Sequence, residues 1–265
     1  MDGVILGMDK NIINSPLVSI MMTSYNRADL IGAAIQSVLS QTYQNWELLI
    51  LDDASTDDTA TVVATIADND PRIIYSPIPK NLGITKNRNR GFALAKGKYV
   101  AVLDCDDVWS HQDKLTKQVN FLETHPEHSL VGTDVIVIDR NGVKTKELHY
   151  AHTDADIRPK MLMRNQFTHS AVLMRRSSLP LPRPYDESGV VSIWEDYDLF
   201  LRLGLVGQLA NLPEIMTSYR WHGGNISKAQ KKNGAWAHLK IIKRYKNDYP
   251  NYWLAYIKGL LRLFI

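Results

Sequence analysis

The stretch Tyr99-Val100-Ala101-Val102-Leu103-Asp104-Cys105-Asp106-Asp107 joins a short apolar run to three carboxylates. The apolar part is too short for a buried helix and predicts a central β-strand. Like charges this close repel one another, so the cluster needs a cation or hydrogen-bond donors nearby. Carboxylate oxygens are hard ligands that suit Mg²⁺ or Mn²⁺, and Mg²⁺ commonly shares its shell with substrate phosphates. The stretch therefore predicts a metal–phosphate site at the end of a strand.

Strand-like and helix-like segments alternate through the residues that precede this stretch. Short apolar runs predict strands over 17–23, 46–51 and 72–75, with apolar residues at helical spacing between them. Serines that precede an acid resemble capping boxes at Ser55 and Ser110. The alternation is typical of a parallel sheet with helices on both faces, in which ligands bind at the carboxyl ends of the strands. Asp52, Asp53 and the cluster over 104–107 are expected at that edge.

The second half of the chain has a mixed pattern rather than a regular alternation. Asn141-Gly142 lies between two strand-like runs and predicts a hairpin, because this dipeptide favours a tight primed turn. Strands are predicted over 169–174 and 215–221, a helix from 194, and a basic, aromatic, helical tail over 228–265. The sequence thus predicts an α/β protein with a Rossmann-like, mainly parallel sheet, a mixed C-terminal half and a helical tail.

Composition places the chain among ordinary globular proteins. Its 265 residues suffice for one large domain with or without an appendage, and 45% are hydrophobic. The formal net charge of +3 is too small to argue for nucleic acid, so no nucleic-acid partner is expected. The single cysteine, Cys105, excludes an internal disulfide and fits a reducing compartment. Neither a signal peptide nor a membrane-spanning run is visible, so we expect a cytoplasmic protein.

Seven short segments occur in an order and at spacings that are highly specific as a set. They are Val18–Arg27, Leu51–Asp57, Asn81–Gly83, Asn89–Gly91, Leu103–Asp107, Glu195-Asp196 and Tyr219–His222. With them the chain resembles an inverting family 2 glycosyltransferase of the GT-A fold. The resemblance implies a GT-A catalytic domain over 1–227, with a nucleotide-binding half at about 16–110 and an acceptor half at about 111–227. Residues 228–265 would form a C-terminal helical extension.

The resemblance also implies a reaction. A sugar would pass with inversion from a nucleotide sugar to the hydroxyl of a glycan or a lipid-linked acceptor, with Mn²⁺ or Mg²⁺ as cofactor, in glycan or polysaccharide synthesis. UDP is favoured as the nucleotide over dTDP or GDP. Two other functions stay open. Asp104–Val108 also fits the nucleophile motif of haloacid-dehalogenase-type phosphohydrolases, and the chain could be a non-catalytic nucleotide-sugar-binding subunit.

Site residues follow from the resemblance by position. Asp53 would accept the N3–H of the uracil ring through a charge-assisted hydrogen bond. The other residues expected to contact the donor are Thr23, Tyr25, Asn26, Asn81, Arg88, Asp104 and Arg220. Asp104 and Asp106 form the Asp-x-Asp element, with Asp106 as the first choice of metal ligand, Asp107 as its alternative and His222 nearby.

Asp196 is the expected general base, because inversion by single displacement needs one group that removes the proton of the acceptor hydroxyl. Its neighbour Glu195 could exchange roles with it. The tail over 228–265 carries lysines among aromatic residues. A basic aromatic helix can lie on an anionic membrane surface, so peripheral membrane contact is one alternative for the tail. Docking of a helical pair on the catalytic domain is the favoured one.

Overall fold

The computed structural model describes residues 15–68, 70–189, 194–221 and 231–263, without the side chains of 231–233. The strands are β1 (Val18–Ser24), β2 (Trp46–Asp52), β3 (Ile73–Pro77), β4 (Tyr99–Val102), β5 (Val108–Trp109), β6 (His128–Ile138), β7 (Lys144–Leu148), β8 (Leu173–Arg175) and β9 (Gln208–Arg220). The helices are α1 (Ile31–Leu39), α2 (Thr59–Ala67), α3 (Ile84–Leu94), α4 (Lys114–Thr124), α5 (Asp154–Ile157), α6 (Glu195–Val206), α7 (Lys231–Arg244) and α8 (Tyr252–Leu261).

All strands in these ranges belong to one sheet with the order β3-β2-β1-β4-β8-β6-β9-β5, and β7 pairs with β6. The four strands from β3 to β4 run parallel to one another. Alternate residues of β1 face opposite cores. Ile20 packs in one core with Ile35 of α1, and Met21 packs in the other with Phe92 of α3. The predicted α/β fold with a parallel sheet covered on both faces is confirmed.

The second half is mixed, as predicted. β8 runs antiparallel to both β4 and β6, whereas β6 and β9 are parallel. The hairpin of β6 and β7 forms, and Gly142 takes a φ of +86° between the strands. The strand predicted over 169–174 is wrong in its first half. His169–Ala171 is a 3₁₀ turn and only Leu173–Arg175 joins the sheet, because the turn carries His169 and Ser170 to the acids that follow β4.

The two predicted capping boxes do not form. Helix α2 begins at Thr59 without a side-chain cap, because Ser55 Oγ instead donates to Asp52 Oδ1 and accepts from the main-chain N of Asn26. Helix α4 likewise has no side-chain cap, and the carboxylate of Asp113 accepts a hydrogen bond from Thr42. In both places a tertiary hydrogen bond replaces the local one that the pattern predicted.

The described part of the tail forms two helices, α7 and α8. The chain turns between α7 and α8, where Asn251 adopts a left-handed conformation with a φ of +65°. Helix α7 buries Leu239, Ile241 and Ile242 in the core that also contains α6. The predicted domain boundary between 227 and 228 lies outside the described residues. Among the residues that the structure describes, no helix is long and apolar enough to cross a bilayer.

Gly97 lies just before β4, where the chain comes close to β1. A substitution at this position tests that packing. A Cβ at this position would lie 2.6 Å from Ser19 N and 2.7 Å from Leu17 O, which are backbone atoms that cannot move alone. We expect Gly97→Ala to lower the free energy of unfolding by about 1–3 kcal/mol in urea titrations. Gly32→Ala in α1 is the matched control, since its nearest neighbour would be the side chain of Val62 at 3.6 Å. The control should be neutral or stabilising by up to about 1 kcal/mol. Equal effects of the two substitutions would contradict the packing described here.

Candidate functional site

The carboxyl ends of β1, β2 and β4 meet at one edge of the sheet. Ser24 is the register partner of Asp52, and Asp53 N donates to Ser24 O at 2.9 Å. On the other side of β1, Leu103 N donates to Met21 O at 3.0 Å and delivers Asp104 to the same edge. The parallel register thus brings together the two acidic segments, which are far apart in the sequence.

Asp53 holds the loop that precedes α3. Its two carboxylate oxygens accept from Leu82 N at 2.7 Å and from Gly83 N at 3.0 Å. Asn81 completes the contact by donating from Nδ2 to Asp53 O at 3.1 Å. A carboxylate has lone pairs for about four bonds, so these contacts position Asp53 and leave capacity for a further donor.

The turn after β1 is built around Asn26, which has a φ of +52°. Its Oδ1 accepts from Thr56 N at 2.8 Å, so the turn is tied to the segment after β2. Tyr25 is 48% exposed, and Thr23 is half-buried at the end of the strand. The residues predicted to line a base and ribose therefore lie at the edge that carries Asp53.

Arg88 of α3 joins the two parts of the site. Its guanidinium donates from Nη2 to Asp104 Oδ1 at 2.8 Å and from Nη1 to Glu195 Oε1 at 2.6 Å. The side chains of Arg88 and Glu195 are each only 7% exposed, and that of Asp104 is 25% exposed. A buried ion pair is tolerated only where the remaining hydrogen bonds are good. This one fixes the first turn of α6 beside the end of β4.

His169 and Tyr185 complete the surroundings of Asp104. His169 Nδ1 lies 3.1 Å from Asp104 Oδ2, and its Nε2 lies 2.8 Å from the hydroxyl of Tyr185. Asn89 of α3 holds Tyr185 through both of its main-chain polar groups. No pattern in the sequence indicated a role for Tyr185. Tyr185 lies in a Pro-rich loop that has no periodicity to mark it.

The carboxyl groups of the site have divergent pKa values. Burial alone would raise the pKa of Asp104, but His169 and Arg88 lower it well below its usual range. Burial raises the pKa of Glu195, against the lowering effect of Arg88. Burial likewise raises the pKa of Asp196, although His169 and Arg88 oppose the shift. An ionised Asp104 therefore lies close to carboxyl groups that hold protons more tightly, which is typical of catalytic sites.

Asp196 and Glu195 differ in their surroundings. Glu195 is bound to Arg88, whereas Asp196 remains partly exposed, with Asn165 Nδ2 at 3.4 Å from its Oδ2. Of the two predicted catalytic acids, only Asp196 combines partial exposure with a raised pKa. Glu195 has the surroundings of a positioning residue, because its carboxylate neutralises Arg88.

Asp107, the predicted alternative metal ligand, is built into the protein instead. It is 1% exposed, and its carboxylate accepts from the hydroxyl of Ser170 and, at 2.7 Å, from Arg220 N. Burial and the neighbouring acids Asp106 and Asp104 raise its pKa well above the usual range. The carboxyl group is therefore enclosed by protein donors, and its role as a metal ligand stays a prediction.

Arg220 makes several bonds within the protein, and its contact with a phosphate stays a prediction. Its guanidinium donates to the main-chain oxygens of Asp106 at 2.8 Å, Arg140 at 2.9 Å and Asp139 at 3.1 Å. These bonds fix the acidic segment and the end of β6 to β9. Arg220 is therefore a positioning residue of the acidic turn.

Asp104 and Asp106 are the residues that fit a divalent cation. Asp106 is partly exposed next to Asp104, and both carry hard oxygen ligands. Within the ranges that the structure covers, no group of three or more His, Cys, Asp or Glu side chains converges on a metal position. Mg²⁺ is often held by one or two carboxylates together with substrate phosphates, and this pair matches that class. His222, the other predicted ligand, lies outside the described residues.

Comparison with known proteins identifies relatives. The family model described as "Glycosyl transferase family 2" matches residues 19–179. The putative glycosyltransferase EpsE of Bacillus subtilis is 34% identical over 190 residues, which are 71% of this chain and 67% of EpsE. The Escherichia coli protein named UDP-Glc:alpha-D-GlcNAc-diphosphoundecaprenol beta-1,3-glucosyltransferase WfaP is 34% identical over 221 residues, 80% of each chain. The chain spans 60% of three uncharacterised mycobacterial relatives.

Solved structures share the fold at low sequence identity. The structure of Staphylococcus aureus TarS residues 1–349 in complex with UDP-GlcNAc has a TM-score of 0.73 and 19% identity, covering 93% of this chain and 72% of that one. The mannosyltransferase PcManGT of Pyrobaculum calidifontis, in complex with GDP-Man and Mn²⁺, has a TM-score of 0.65 and 16% identity, covering 94% of this chain and 74% of that one. At this identity the likeness establishes the GT-A architecture.

Ser170 offers a test of the buried acid. Its Oγ donates to Asp107 and accepts from Asp104 N at 3.1 Å, so Ser170→Ala leaves Asp104 N without this acceptor and removes one of the two donors to Asp107. We expect a loss of about 1–3 kcal/mol in the free energy of unfolding at neutral pH. The substitution raises the folded pKa of Asp107 further above its unfolded value. The unfolded states of the two proteins titrate alike, so this added cost is absent while Asp107 stays protonated in the folded protein, and it grows as the pH rises through its raised folded pKa.

Ser37→Ala is the matched control for this pH dependence. Ser37 is buried and its Oγ makes neutral bonds, donating to Ala34 O at 2.7 Å and accepting from Trp109 N at 3.1 Å. The loss in the free energy of unfolding caused by Ser37→Ala should not change with pH. Urea titrations from acid to alkaline pH measure both variants, and losses that stay parallel over the whole range would contradict the account of Asp107.

Proposed function

The chain belongs to glycosyl transferase family 2, and from that premise we propose that it transfers a sugar from a UDP-sugar to a hydroxyl acceptor, with inversion and with a divalent cation. The observation that carries this proposal is the Arg88 bridge between Asp104 and Glu195. Because of that bridge, a base at the start of α6 faces the strand end where a nucleoside diphosphate would lie. Residues 1–227 would form the catalytic domain, followed by the helical extension over 228–265.

The donor would lie along the edge formed by β1, β2 and β4. Asp53, held by Leu82 N and Gly83 N, is positioned to accept the N3–H of uracil through a charge-assisted bond. The exposed ring of Tyr25 and the turn at Asn26 would line the base and ribose. The TarS complex with UDP-GlcNAc supports a UDP-sugar, since it shares the architecture.

The diphosphate would lie at Asp104 and Asp106, the pair that would hold Mn²⁺ or Mg²⁺. When bound, the cation neutralises the charge that develops on the leaving nucleoside diphosphate. The bonds of Asp104 to Arg88 and His169 keep it ionised, because they lower its pKa well below the usual range against the effect of burial. The bound Mn²⁺ in the PcManGT complex supports the same choice of cofactor.

Asp196 would be the general base of a single displacement. The acceptor oxygen forms a bond to the anomeric carbon while the bond from that carbon to the β-phosphate oxygen breaks. The proton of the acceptor hydroxyl moves to Asp196, and the nucleoside diphosphate leaves on the opposite face. A raised pKa makes Asp196 a stronger base than an ordinary aspartate, and Glu195 positions it by holding Arg88.

The acceptor would be a glycan or a lipid-linked sugar. WfaP is named for a diphosphoundecaprenol-linked acceptor, and 80% of each chain aligns at 34% identity. Membership in the family removes the phosphohydrolase alternative. A non-catalytic nucleotide-sugar-binding subunit would not need a general base such as Asp196. Measurement of UDP-sugar consumption distinguishes such a subunit from an enzyme.

Asp196→Asn keeps the size of the side chain but cannot accept the proton. We expect kcat for transfer from the UDP-sugar to fall by about 10²–10⁴-fold, while the Kd for UDP with Mn²⁺ is unchanged. In the unsubstituted protein, kcat should fall on acidification at a pH above the ordinary aspartate value of about 3.9, because burial raises the pKa of Asp196. Initial rates across pH measure both effects.

Asp106→Asn is the matched comparison. It should abolish the Mn²⁺-dependent rise in melting temperature with UDP, because a ligand stabilises only the state that binds it. Unchanged turnover in Asp196→Asn would contradict its assignment as the base. Binding of UDP with Mn²⁺ without consumption of any UDP-sugar would favour the non-catalytic subunit.

A further inference from the structure

Helix α8 turns its large apolar residues outward. Trp253, Ile257 and Leu261 are 71%, 55% and 58% exposed, and Leu254 and Leu260 lie beside them on the exposed side. At about 100° per residue these five side chains cover one continuous arc of the helix. Scattered exposed apolar residues are ordinary, but a contiguous arc of large ones on a single helix marks an interaction surface. We call this arc the outer face of α8.

Helix α8 is tightly packed on its inward side, so loose packing does not explain the outer face. The inward side of α8 carries Ala255 and Gly259, which are buried. A Cβ at Gly259 would lie 2.7 Å from Leu239 Cδ2 and 3.2 Å from Ile242 Cδ1 of α7. The helices pack so closely that only small residues fit between them, so α8 cannot rotate to bury Trp253 or Ile257. The rotation that exposes the large residues is therefore set by the packing.

Positive charge borders the outer face. Lys258 lies at the edge of the apolar arc, and Lys240 and Lys243 are exposed on α7, next to α8. Residues 228–265 contain nine lysines and arginines and a single acid, Asp248. A second copy of this chain would bring these like charges together, whereas an anionic surface would neutralise them. The charge therefore favours an anionic occupant.

We propose that the outer face of α8, with the lysines that border it, docks on the surface of an anionic lipid bilayer. The apolar arc would enter the boundary between headgroups and acyl chains, with Trp253 at the interface, and the lysines would meet the lipid phosphates. The proposal rests on the tail alone and holds whichever sugar is transferred. It combines the two alternatives for the tail, because α7 docks on the catalytic core while the outer face of α8 stays exposed.

The tail is also connected to the candidate site. Trp194, which directly precedes Glu195, donates from Nε1 to Gly234 O of α7 at 2.7 Å. His238 of α7 packs against the rings of Trp194 and Tyr197 with centroids 5.7 Å apart. A bilayer bound to α8 would thus contact the helix pair of α7 and α8, and α7 supports the start of α6. On the proposed function, a lipid-linked acceptor would then reach Asp196 from the surface to which α8 is docked.

Co-sedimentation with vesicles tests the proposal on the full chain. One set of vesicles contains equal amounts of phosphatidylglycerol and phosphatidylcholine, and the other contains phosphatidylcholine alone. We expect binding to the anionic vesicles that weakens as salt is raised, because exposed charges are screened. Ile257→Asp should weaken that binding by about tenfold or more, since it places a charge in the apolar arc.

Val206→Asp is the matched control, because Val206 is an apolar residue that is 64% exposed at the end of α6 and does not belong to the outer face of α8. It should bind vesicles like the unsubstituted chain. Circular dichroism and the melting temperature establish that both variants are folded, and the Kd for UDP with Mn²⁺ shows separately whether the donor site is intact. Failure of the unsubstituted chain to bind anionic vesicles would overturn the proposal. Equal binding by Ile257→Asp, or a lipid-free dimer that this variant dissociates, would overturn it as well.

Discussion

A guanidinium group cannot give up its charge inside a protein, so a fold that buries one must also supply its partners. Arg88 imposes this constraint here. It lies on α3, and its partners Asp104 and Glu195 come from the end of β4 and the start of α6. Removing either acid would leave a buried cation partly unpaired, which is among the most costly changes a core can suffer. The site's two halves are therefore held in register by electrostatics as well as by packing.

Other contacts of the site depend on the same arrangement. Once Asp104 is fixed, Ser170 can bind its main-chain N and also the carboxylate of Asp107, which encloses that acid. Arg220 donates from its main-chain N to the carboxylate of Asp107 and from its guanidinium to Asp106 O. Asp104 and Asp106 remain partly exposed, so the fold itself distinguishes Asp107 from the two acids beside it. This distinction follows from tertiary contacts and is invisible in the linear sequence.

The sequence predicted the strands and helices correctly wherever hydrophobic periodicity or a turn motif marked them. The parallel strands up to β4, the Asn141-Gly142 hairpin and the helix that begins at Glu195 are present as predicted. It failed at Ser55 and over 169–174, where a long-range hydrogen bond competes with the local pattern. It missed Tyr185, whose role depends on Asn89 holding a loop that has no pattern of its own. It predicted the basic aromatic tail but not which side of α8 faces outward, because that depends on the close contact at Gly259.

A double-mutant cycle between Arg88 and Glu195 tests the central claim most directly. The free energies of unfolding of Arg88→Met, Glu195→Gln and the double variant would be measured in urea at neutral pH and compared with that of the unsubstituted chain. If the buried pair joins the halves of the site, the double variant should lose less than the sum of the single losses, with a coupling of about 1.5 kcal/mol or more. Losses that add to within about 0.5 kcal/mol would contradict the account.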